Sequence, residues 1–246
     1  MIDIHSHILP YLDDVAKSLE QSLKMLEIAA KEGITEIITT PHCYGHKKSA
    51  TPQMVQKSIA RVRKELQQEN IPIRLYVGNE IYYRQGVEEE LEKGKINTLA
   101  GSRYVLVEFH PEEDYQYIVR GLNKLSCYGY SPILAHVERY ENLFAKKGRI
   151  EDLKNTGVQM QINASSIMAK GFTNAYRSRS LSLIKSQMVD YVATDAHSDR
   201  NRAPFIQTCE MFLQKKAGRE YTQKLLVENA EHIIACSIKR NTREES

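Results

Sequence analysis

The sequence predicts an α/β protein whose short parallel strands form a (β/α) barrel. Apolar runs typical of strands buried on both faces alternate along the chain with amphipathic helical segments. In addition, histidine and acidic side chains stand at the carboxyl ends of these strands, where barrels carry their sites. Seven βα units fit this pattern. An eight-stranded barrel and an open doubly wound sheet are the alternatives that it leaves open.

The strand predictions rest on short apolar runs. Residues 104–107 read Tyr-Val-Leu-Val, the nearly continuous apolar run expected of a strand buried in a parallel sheet. The candidate strands are residues 2–5, 36–40, 73–78, 104–109, 132–136, 158–163 and 189–194.

The helix predictions rest on apolar spacing. The first helix, residues 15–31, has apolar side chains at three- and four-residue intervals and is closed by Gly33. The second, residues 53–69, has the same rhythm. The polar residues 239–246 are predicted to form a flexible C-terminal tail.

Composition narrows the class of protein. The 246 residues contain no linker-like stretch, so we expect one domain over residues 1–246. The net charge of +3, without a basic block, argues against nucleic acid binding. No apolar run is long enough to enter a membrane, and no secretory signal is present. Four cysteines without pair spacing favour free thiols and a cytoplasmic location.

Histidines and carboxylates at the strand ends predict a metal centre. His5 and His7 are two residues apart, so a strand places both imidazoles on one face. Asp195 and His197 repeat that spacing near the other end of the chain. Such a mixed donor set exceeds what one ion can use, so we expect two or three divalent ions, with manganese, iron and zinc all open. The other candidates at strand ends are His42, Glu80, Glu108 and His136, with Asp13 and Asp14 in the first loop.

Taken together, these motifs resemble the polymerase and histidinol phosphatase (PHP) superfamily of metal-dependent phosphoesterases. Within it, the chain is similar to the manganese-dependent tyrosine-protein phosphatases of bacterial capsule and exopolysaccharide operons. The resemblance implies a distorted seven-stranded (β/α)7 TIM-like barrel with a three-metal cluster. The motifs are Asp3-Ile-His-Ser-His with Asp13-Asp14, Thr40-Pro-His42, Gly78-Asn-Glu80, Val107-Glu108-Phe, Ala135-His136-Val-Glu-Arg139-Tyr, and Thr194-Asp195-Ala-His197 with Arg202.

The resemblance also implies which residues hold each ion. The first metal is expected on His5, His7, Glu80 and Asp195. Glu80 would bridge to a second metal on Glu108 and His136, and Asp14, His42 and His197 would hold the third. Asp13 is the alternative to Asp14, because Val15 stands where the family usually has glycine.

The expected reaction is hydrolysis of phosphotyrosine by a metal-activated hydroxide. Arg139 and Arg202 would grip phosphate oxygens with their planar guanidinium groups, and Arg200 is the alternative to Arg202. The resemblance implies a membrane-associated, autophosphorylated bacterial tyrosine kinase as the partner. A homo-oligomer is compatible with the sequence.

Two other functions are weighed against this one. A small-molecule phosphatase of the histidinol-phosphate type would use the same superfamily metals. A non-catalytic regulator that binds a phosphopeptide without hydrolysing it is the second alternative, and the intact ligand set with both arginines argues against it.

Overall fold

The computed structural model of the chain describes residues 1–12, 16–45, 49–171 and 174–244. Within these ranges, short strands alternate with helices, as the apolar pattern predicts. The strands are β1 (Ile2–Ser6), β2 (Glu36–Thr39), β3 (His42–Cys43), β4 (Arg74–Tyr76), β5 (Glu80–Tyr82), β6 (Tyr104–Glu108), β7 (Ser131–Leu134), β8 (Gln159–Asn163) and β9 (Tyr191–Ala193).

Helices follow most of the strands. Short 3₁₀ turns occur at Leu99–Gly101 and Val137–Arg139, and a π-helical turn occurs at Lys224–Glu228. The α-helices are α1 (Leu19–Lys31), α2 (Pro52–Gln68), α3 (Val87–Glu92), α4 (Tyr115–Cys127), α5 (Glu141–Phe144), α6 (Arg149–Asn155), α7 (Ala164–Met168), α8 (Ala175–Lys185), α9 (Gln207–Ala217), α10 (Arg219–Gln223) and α11 (Asn229–Glu244).

Capping residues set where the two predicted helices begin. The Ser18 side chain accepts a hydrogen bond from the Gln21 backbone, so α1 begins at Leu19 rather than at residue 15. Thr51 caps α2 in the same way, and Pro52 occupies the first helical position. Gly33 has a left-handed φ of +85° after the end of α1, as the sequence predicts.

All paired strands run parallel, which agrees with the α/β class. The hydrogen-bonded order is β1-β2-β4 in one ladder and β3-β5-β6-β7-β8-β9 in the other. The sheet is therefore curled, but its described strands do not form one continuous seven-stranded ladder. The predicted strands 36–40 and 73–78 end early, at Thr39 and Tyr76, and after a short break the chain continues as β3 and β5.

Backbone hydrogen bonds connect the last strand to the first. The Asp195 N–H donates to the His5 carbonyl, and the His7 N–H donates to the Ala196 carbonyl, both at 2.9 Å. The buried Asp3 carboxylate reinforces this contact by accepting a hydrogen bond from the Thr194 N–H. The carboxyl ends of β1 and β9 are thereby held side by side.

The inner and outer faces of the sheet have separate apolar cores. Outward-facing residues such as Val105 and Val107 of β6 pack against the helices. Inward-facing residues such as Tyr104 and Leu106 of the same strand form a second cluster. Ala230, Ile233 and Ile234 of α11 belong to this inner cluster. Helix α11 therefore covers the amino-terminal ends of the strands and leaves the carboxyl ends for the site.

An irregularity in β1 changes which residues face inward. Ile2 and Ile4 belong to the inner cluster, although His5 and His7 also turn toward the inside. The register against β2 shifts between Asp3 and Ser6, where β1 has one residue more than its partner. This bulge reverses the side-chain alternation and lets one short strand supply both core and site.

The described helices lack the combination of length and apolar character that a membrane-spanning helix needs. The backbone is helical through Glu244, within the segment predicted to be a tail. Flexibility of residues 239–246 and the single-domain organisation of residues 1–246 stay predictions.

Gly78 permits the break between β4 and β5. A Cβ atom at this position would lie 2.9 Å from the Thr39 carbonyl oxygen and 3.0 Å from Cγ2 of Ile38. Because one of these neighbours is backbone, we expect Gly78→Ala to lower the free energy of unfolding by about 1–3 kcal/mol. Urea denaturation measures the change. An unfolding free energy within about 0.5 kcal/mol of the wild-type value would contradict this account of the break.

Candidate metal centre

Four side chains from three strand ends bring their donor atoms to one point. His5 Nε2 lies 3.3 Å from His7 Nε2, 3.2 Å from Glu80 Oε2 and 3.4 Å from Asp195 Oδ1. His7 Nε2 lies 3.1 Å from the same Glu80 oxygen and 3.6 Å from Asp195 Oδ1. Metal–ligand bonds of about 2.0–2.2 Å place neighbouring donors about 3–3.5 Å apart, so this spacing matches a coordination shell.

The second oxygen of Glu80 extends the centre toward β6 and β7. His136 Nε2 lies 3.0 Å from Glu80 Oε1 and 3.7 Å from Glu108 Oε2. His42 Nδ1 lies 3.0 Å from Glu80 Oε2 and 3.2 Å from Glu108 Oε1. The buried oxygens Glu80 Oε2 and Glu108 Oε1 thus both face the same imidazole nitrogen of His42. Buried carboxylate charge is costly unless protonated imidazoles or a metal cation neutralise it.

Three histidines form a further group beside the first. The donor nitrogens of His7, His42 and His197 lie within 4.8 Å of one another. His197 Nδ1 donates to the Asp195 carbonyl at 2.8 Å, which leaves Nε2 of that ring as the unprotonated nitrogen. Asp14 and its alternative Asp13 lie outside the described residues.

Two candidate ligands occupy left-handed backbone at strand ends. His136 follows β7 with a φ of 35°, and Asp195 follows β9 with a φ of 50°. Residues other than glycine adopt this conformation rarely, and such residues concentrate at functional sites. The turns aim both side chains into the centre.

Polar residues of β8 orient the ligand candidates without contributing one. Gln161 Oε1 accepts from His5 Nδ1 at 3.1 Å and from the His136 backbone N–H at 2.8 Å. Gln161 Nε2 donates to Asn163 Oδ1, and Asn163 Nδ2 donates to Asp195 Oδ2, both at 2.8 Å. Such hydrogen bonds fix the tautomer and direction of metal-binding side chains.

Sequence reasoning did not identify Gln161 and Asn163. The alternating polar side chains of Gln-Met-Gln-Ile-Asn in β8 were the available signal. A strand with a polar inner face must find polar partners inside the sheet.

The two predicted phosphate-binding arginines meet at Asp195. Arg139 Nη2 donates to Asp195 Oδ2 at 3.0 Å, and Arg202 Nη2 donates to the same oxygen at 2.8 Å. Arg202 reaches it because the Ser198 hydroxyl accepts from the backbone N–H groups of Arg200 and Arg202, forming a tight turn. The side chains of Arg200 and Arg202 are both exposed, the latter by 46%. Each guanidinium keeps further N–H groups for an anion.

The carboxylates and imidazoles shift one another's pKa values. Burial lowers the pKa of His5, but the charges of Glu80 and Asp195 outweigh it and raise the pKa to about 9. Burial also lowers the pKa of His42, and hydrogen bonds with Glu108 and Glu80 raise it to about 10. Burial and the charge of His7 lower the pKa of His197 to about 3.

The pKa of Glu80 moves the opposite way. Burial raises it, but the charge of His5 and hydrogen bonds from His136 and His42 hold the pKa well below its ordinary value. Glu80 is thus ionised, and several imidazoles interact with the same negative charge. A divalent cation is the group that would satisfy these donors together.

The structure brings most of the predicted site residues together. Their donor set of imidazoles and carboxylates fits divalent ions of the manganese, iron and zinc group and does not discriminate among them. Their roles as ligands stay predictions. The residues brought together are His5, His7, His42, Glu80, Glu108, His136, Asp195 and His197, with Arg139 and Arg202 beside them.

Comparison with known sequences gives full-length matches. A family model described as "Capsular polysaccharide synthesis, CpsB/CapC" matches residues 1–235. Tyrosine-protein phosphatase CpsB of Streptococcus agalactiae serotype III (strain NEM316) is 30% identical over 238 residues, covering 95% of this chain and 98% of that protein. Tyrosine-protein phosphatase YwqE of Bacillus subtilis (strain 168) is 32% identical over 234 residues, covering 95% of this chain and 91% of YwqE.

Solved structures agree with the sequence matches. One, described as "Crystal structures of YwqE from Bacillus subtilis and CpsB from Streptococcus pneumoniae, unique metal-dependent tyrosine phosphatases", matches with a TM-score of 0.89 at 31% identity. It covers 96% of this chain and 95% of the matched chain. A mutant organophosphorus hydrolase matches with a TM-score of 0.61 at 11% identity, over 95% of this chain and 92% of that chain. This second likeness concerns the fold alone.

These matches confirm the resemblance to capsule-type, metal-dependent tyrosine phosphatases and the assignment to a family of enzymes. The chain belongs to the CpsB/CapC family of capsular polysaccharide synthesis proteins.

Proposed function

We propose that this chain is a manganese-dependent protein-tyrosine phosphatase. The observation that carries the proposal is the Glu80 carboxylate, which is buried and faces His136 with one oxygen and His5, His7 and His42 with the other. A carboxylate shared in this way suits adjacent metal ions. Family membership supports the substrate class, because the matched relatives are named tyrosine-protein phosphatases.

The proposed ligand sets are those that the resemblance to the phosphatase family implies. His5, His7, Glu80 and Asp195 would hold the first ion, and Glu80, Glu108 and His136 would hold the second. His42 and His197 would hold a third, together with Asp14. Distances of 3.0–3.7 Å between donor atoms within the first two sets support adjacent ions there.

The barrel itself is part of the proposal. We treat β2 with β3, and β4 with β5, as two interrupted strands, which leaves seven strands in the sheet. The hydrogen bonds from Asp195 to His5 and from His7 to Ala196 support closure between β9 and β1. A distorted seven-stranded barrel of this kind would place every ligand on one face.

Bound divalent ions would supply positive charge and lower the pKa of a coordinated water, which suits attack on phosphorus. Arg139 and Arg202 lie beside the centre, where Asp195 accepts hydrogen bonds from Nη2 of each. Their remaining N–H groups donate to phosphate oxygens and offset the charge that develops there. Phenolate is a fairly good leaving group, so we assign no general acid.

The proposed substrate is the tyrosine-rich tail of an autophosphorylated bacterial kinase at the membrane. The chain would act on it from the cytoplasm, in the control of capsule or exopolysaccharide synthesis. Support comes from the capsular polysaccharide family to which the chain belongs.

Metal removal tests the proposal directly. We expect exhaustive chelation to abolish phosphate release from a phosphotyrosine peptide and added Mn²⁺ to restore it, because water alone is a poor nucleophile at neutral pH. Glu80→Gln and His136→Ala should each lower kcat/KM by at least about 100-fold while circular dichroism stays unchanged. The measurement compares phosphate release from the phosphotyrosine peptide with release from histidinol phosphate and from a phosphoserine peptide.

A matched control is His110→Ala, which removes an exposed histidine outside the centre and should keep activity within about twofold of wild type. Full activity after chelation would overturn the metal-dependent mechanism. If the protein hydrolyses histidinol phosphate in preference to phosphotyrosine, the proposed metal centre stands and the proposed substrate is wrong.

Proton release on metal binding tests the electrostatics of the centre. His5 and His42 have pKa values of about 9 and 10, so both rings are protonated at pH 7.5 and must lose protons before they bind a cation. We expect about two protons released per protein, and Mn²⁺ affinity that rises between pH 7 and 9. Calorimetry in buffers of different ionisation enthalpy counts the protons.

His42→Asn should lower that proton count by about one, whereas His232→Asn, an exposed change on α11, should leave it unchanged. Binding heats that are the same in every buffer, or affinity that falls as the pH rises, would show that these rings are neutral before the metal binds.

A further inference from the structure

An aromatic layer lies directly outside the candidate metal centre on two neighbouring strands. His42 of β3 pairs in register with Glu80 of β5. Two residues farther along each chain, on the same face, come Tyr44 and Tyr82. Their ring centroids lie 5.7 Å apart at an interplanar angle of 48°. The two tyrosines thus lie side by side, as His42 and Glu80 do, but closer to solvent.

The Tyr44 ring is joined to the centre by stacking. It lies 5.0 Å from the His42 ring at an interplanar angle of 28°, which is close to parallel. The same residue also reaches solvent, since 40% of its surface is exposed. Tyr82 is partly exposed beside it and pairs in register with Glu108 of β6.

The backbone that carries Tyr44 is fixed. Arg84 Nε donates to the Tyr44 carbonyl at 3.2 Å, and the Arg84 guanidinium also pairs with the Glu90 carboxylate. Gly45 has a φ of +74°, and a Cβ there would overlap the Arg84 guanidinium. The Tyr44 N–H donates to the Ser49 hydroxyl at 3.0 Å. These contacts anchor the backbone of Tyr44, which lowers the entropy lost when a ligand binds against its ring.

We propose that Tyr44 and Tyr82 form the subsite for the phenyl ring of phosphotyrosine. The inference rests on the proposed phosphatase function and names the residues that select an aryl ester. Arg139 and Arg202 lie on the Asp195 side of the centre, and the two tyrosines lie on the His42 and Glu108 side. A phosphate at the centre therefore has cations on one flank and an aromatic surface on the other.

The chemistry of the two surfaces matches the two parts of the substrate. Offset or tilted ring pairs with centroids 4.5–7 Å apart are favourable beyond the area that they bury. A third ring placed against the exposed part of Tyr44 extends the existing stack from His42. An alkyl phosphate ester would lack this interaction.

The test separates ring recognition from turnover by using phosphonates, which the enzyme cannot hydrolyse. Affinities of phenylphosphonate and methylphosphonate for the Mn²⁺-loaded protein are measured by calorimetry. We expect wild type to prefer phenylphosphonate, and Tyr44→Leu to lower that preference about 3- to 10-fold. Tyr44→Phe keeps the ring and should retain the preference within about twofold, as should the control Tyr128→Leu at the end of α4.

The outcomes are distinct. Methylphosphonate affinity that stays within about twofold of wild type in Tyr44→Leu, with phenylphosphonate affinity reduced, supports the subsite. An unchanged preference in Tyr44→Leu, an equal loss for both ligands, or no preference in wild type overturns it. If the protein prefers phenylphosphonate but releases no phosphate from phosphotyrosine peptides, the subsite stands and the proposed phosphatase function is contradicted.

Discussion

The carboxylate of Glu80 is the group on which the candidate centre depends. It is about 1% exposed, yet it is ionised, and its two oxygens face four imidazoles that come from three parts of the sheet, namely the end of β1, β3 and the turn after β7. Burying a charge in this way is costly unless opposite charge surrounds it. The need to satisfy this carboxylate explains why the chain places histidines after so many strands.

The path of the backbone serves the same constraint. The breaks after β2 and β4 fall at Pro41 and Gly78, and beyond them His42 and Glu80 pair in register. Proline cannot donate to a sheet ladder, and glycine allows the close approach to Thr39. The bulge in β1 turns His5 and His7 inward after two apolar core residues. Irregular strand geometry is thus concentrated where the donor atoms converge.

Asp195 connects the candidate centre to Arg139 and Arg202. One oxygen faces His5 and His7, and the other accepts from Arg139, Arg202 and Asn163. A change in the charge at the centre therefore alters the interaction of both arginines with the Asp195 carboxylate. Proposed substrate binding and proposed metal binding depend on each other for this reason.

The sequence predicted the α/β class and most of the residues that converge, because strand alternation and the position of ligands at strand ends are local patterns. It did not predict the left-handed turns at His136 and Asp195, since these depend on tertiary contacts. The contact of Arg202 with Asp195 depends on the turn around Ser198, which has no local sequence signal. Gln161 and Asn163 were missed because amides inside a strand have no spacing that signals a metal site. Neither the sequence nor the structure identifies the metal, since imidazole and carboxylate bind several ions.

Anomalous diffraction at the manganese absorption edge, from crystals of the Mn²⁺-loaded protein, would locate the ions relative to Glu80. We expect anomalous peaks on both sides of Glu80, one within reach of His5, His7 and Asp195 and another within reach of Glu108 and His136. Manganese bound without Glu80, or no anomalous peak beside this carboxylate, would contradict this expectation.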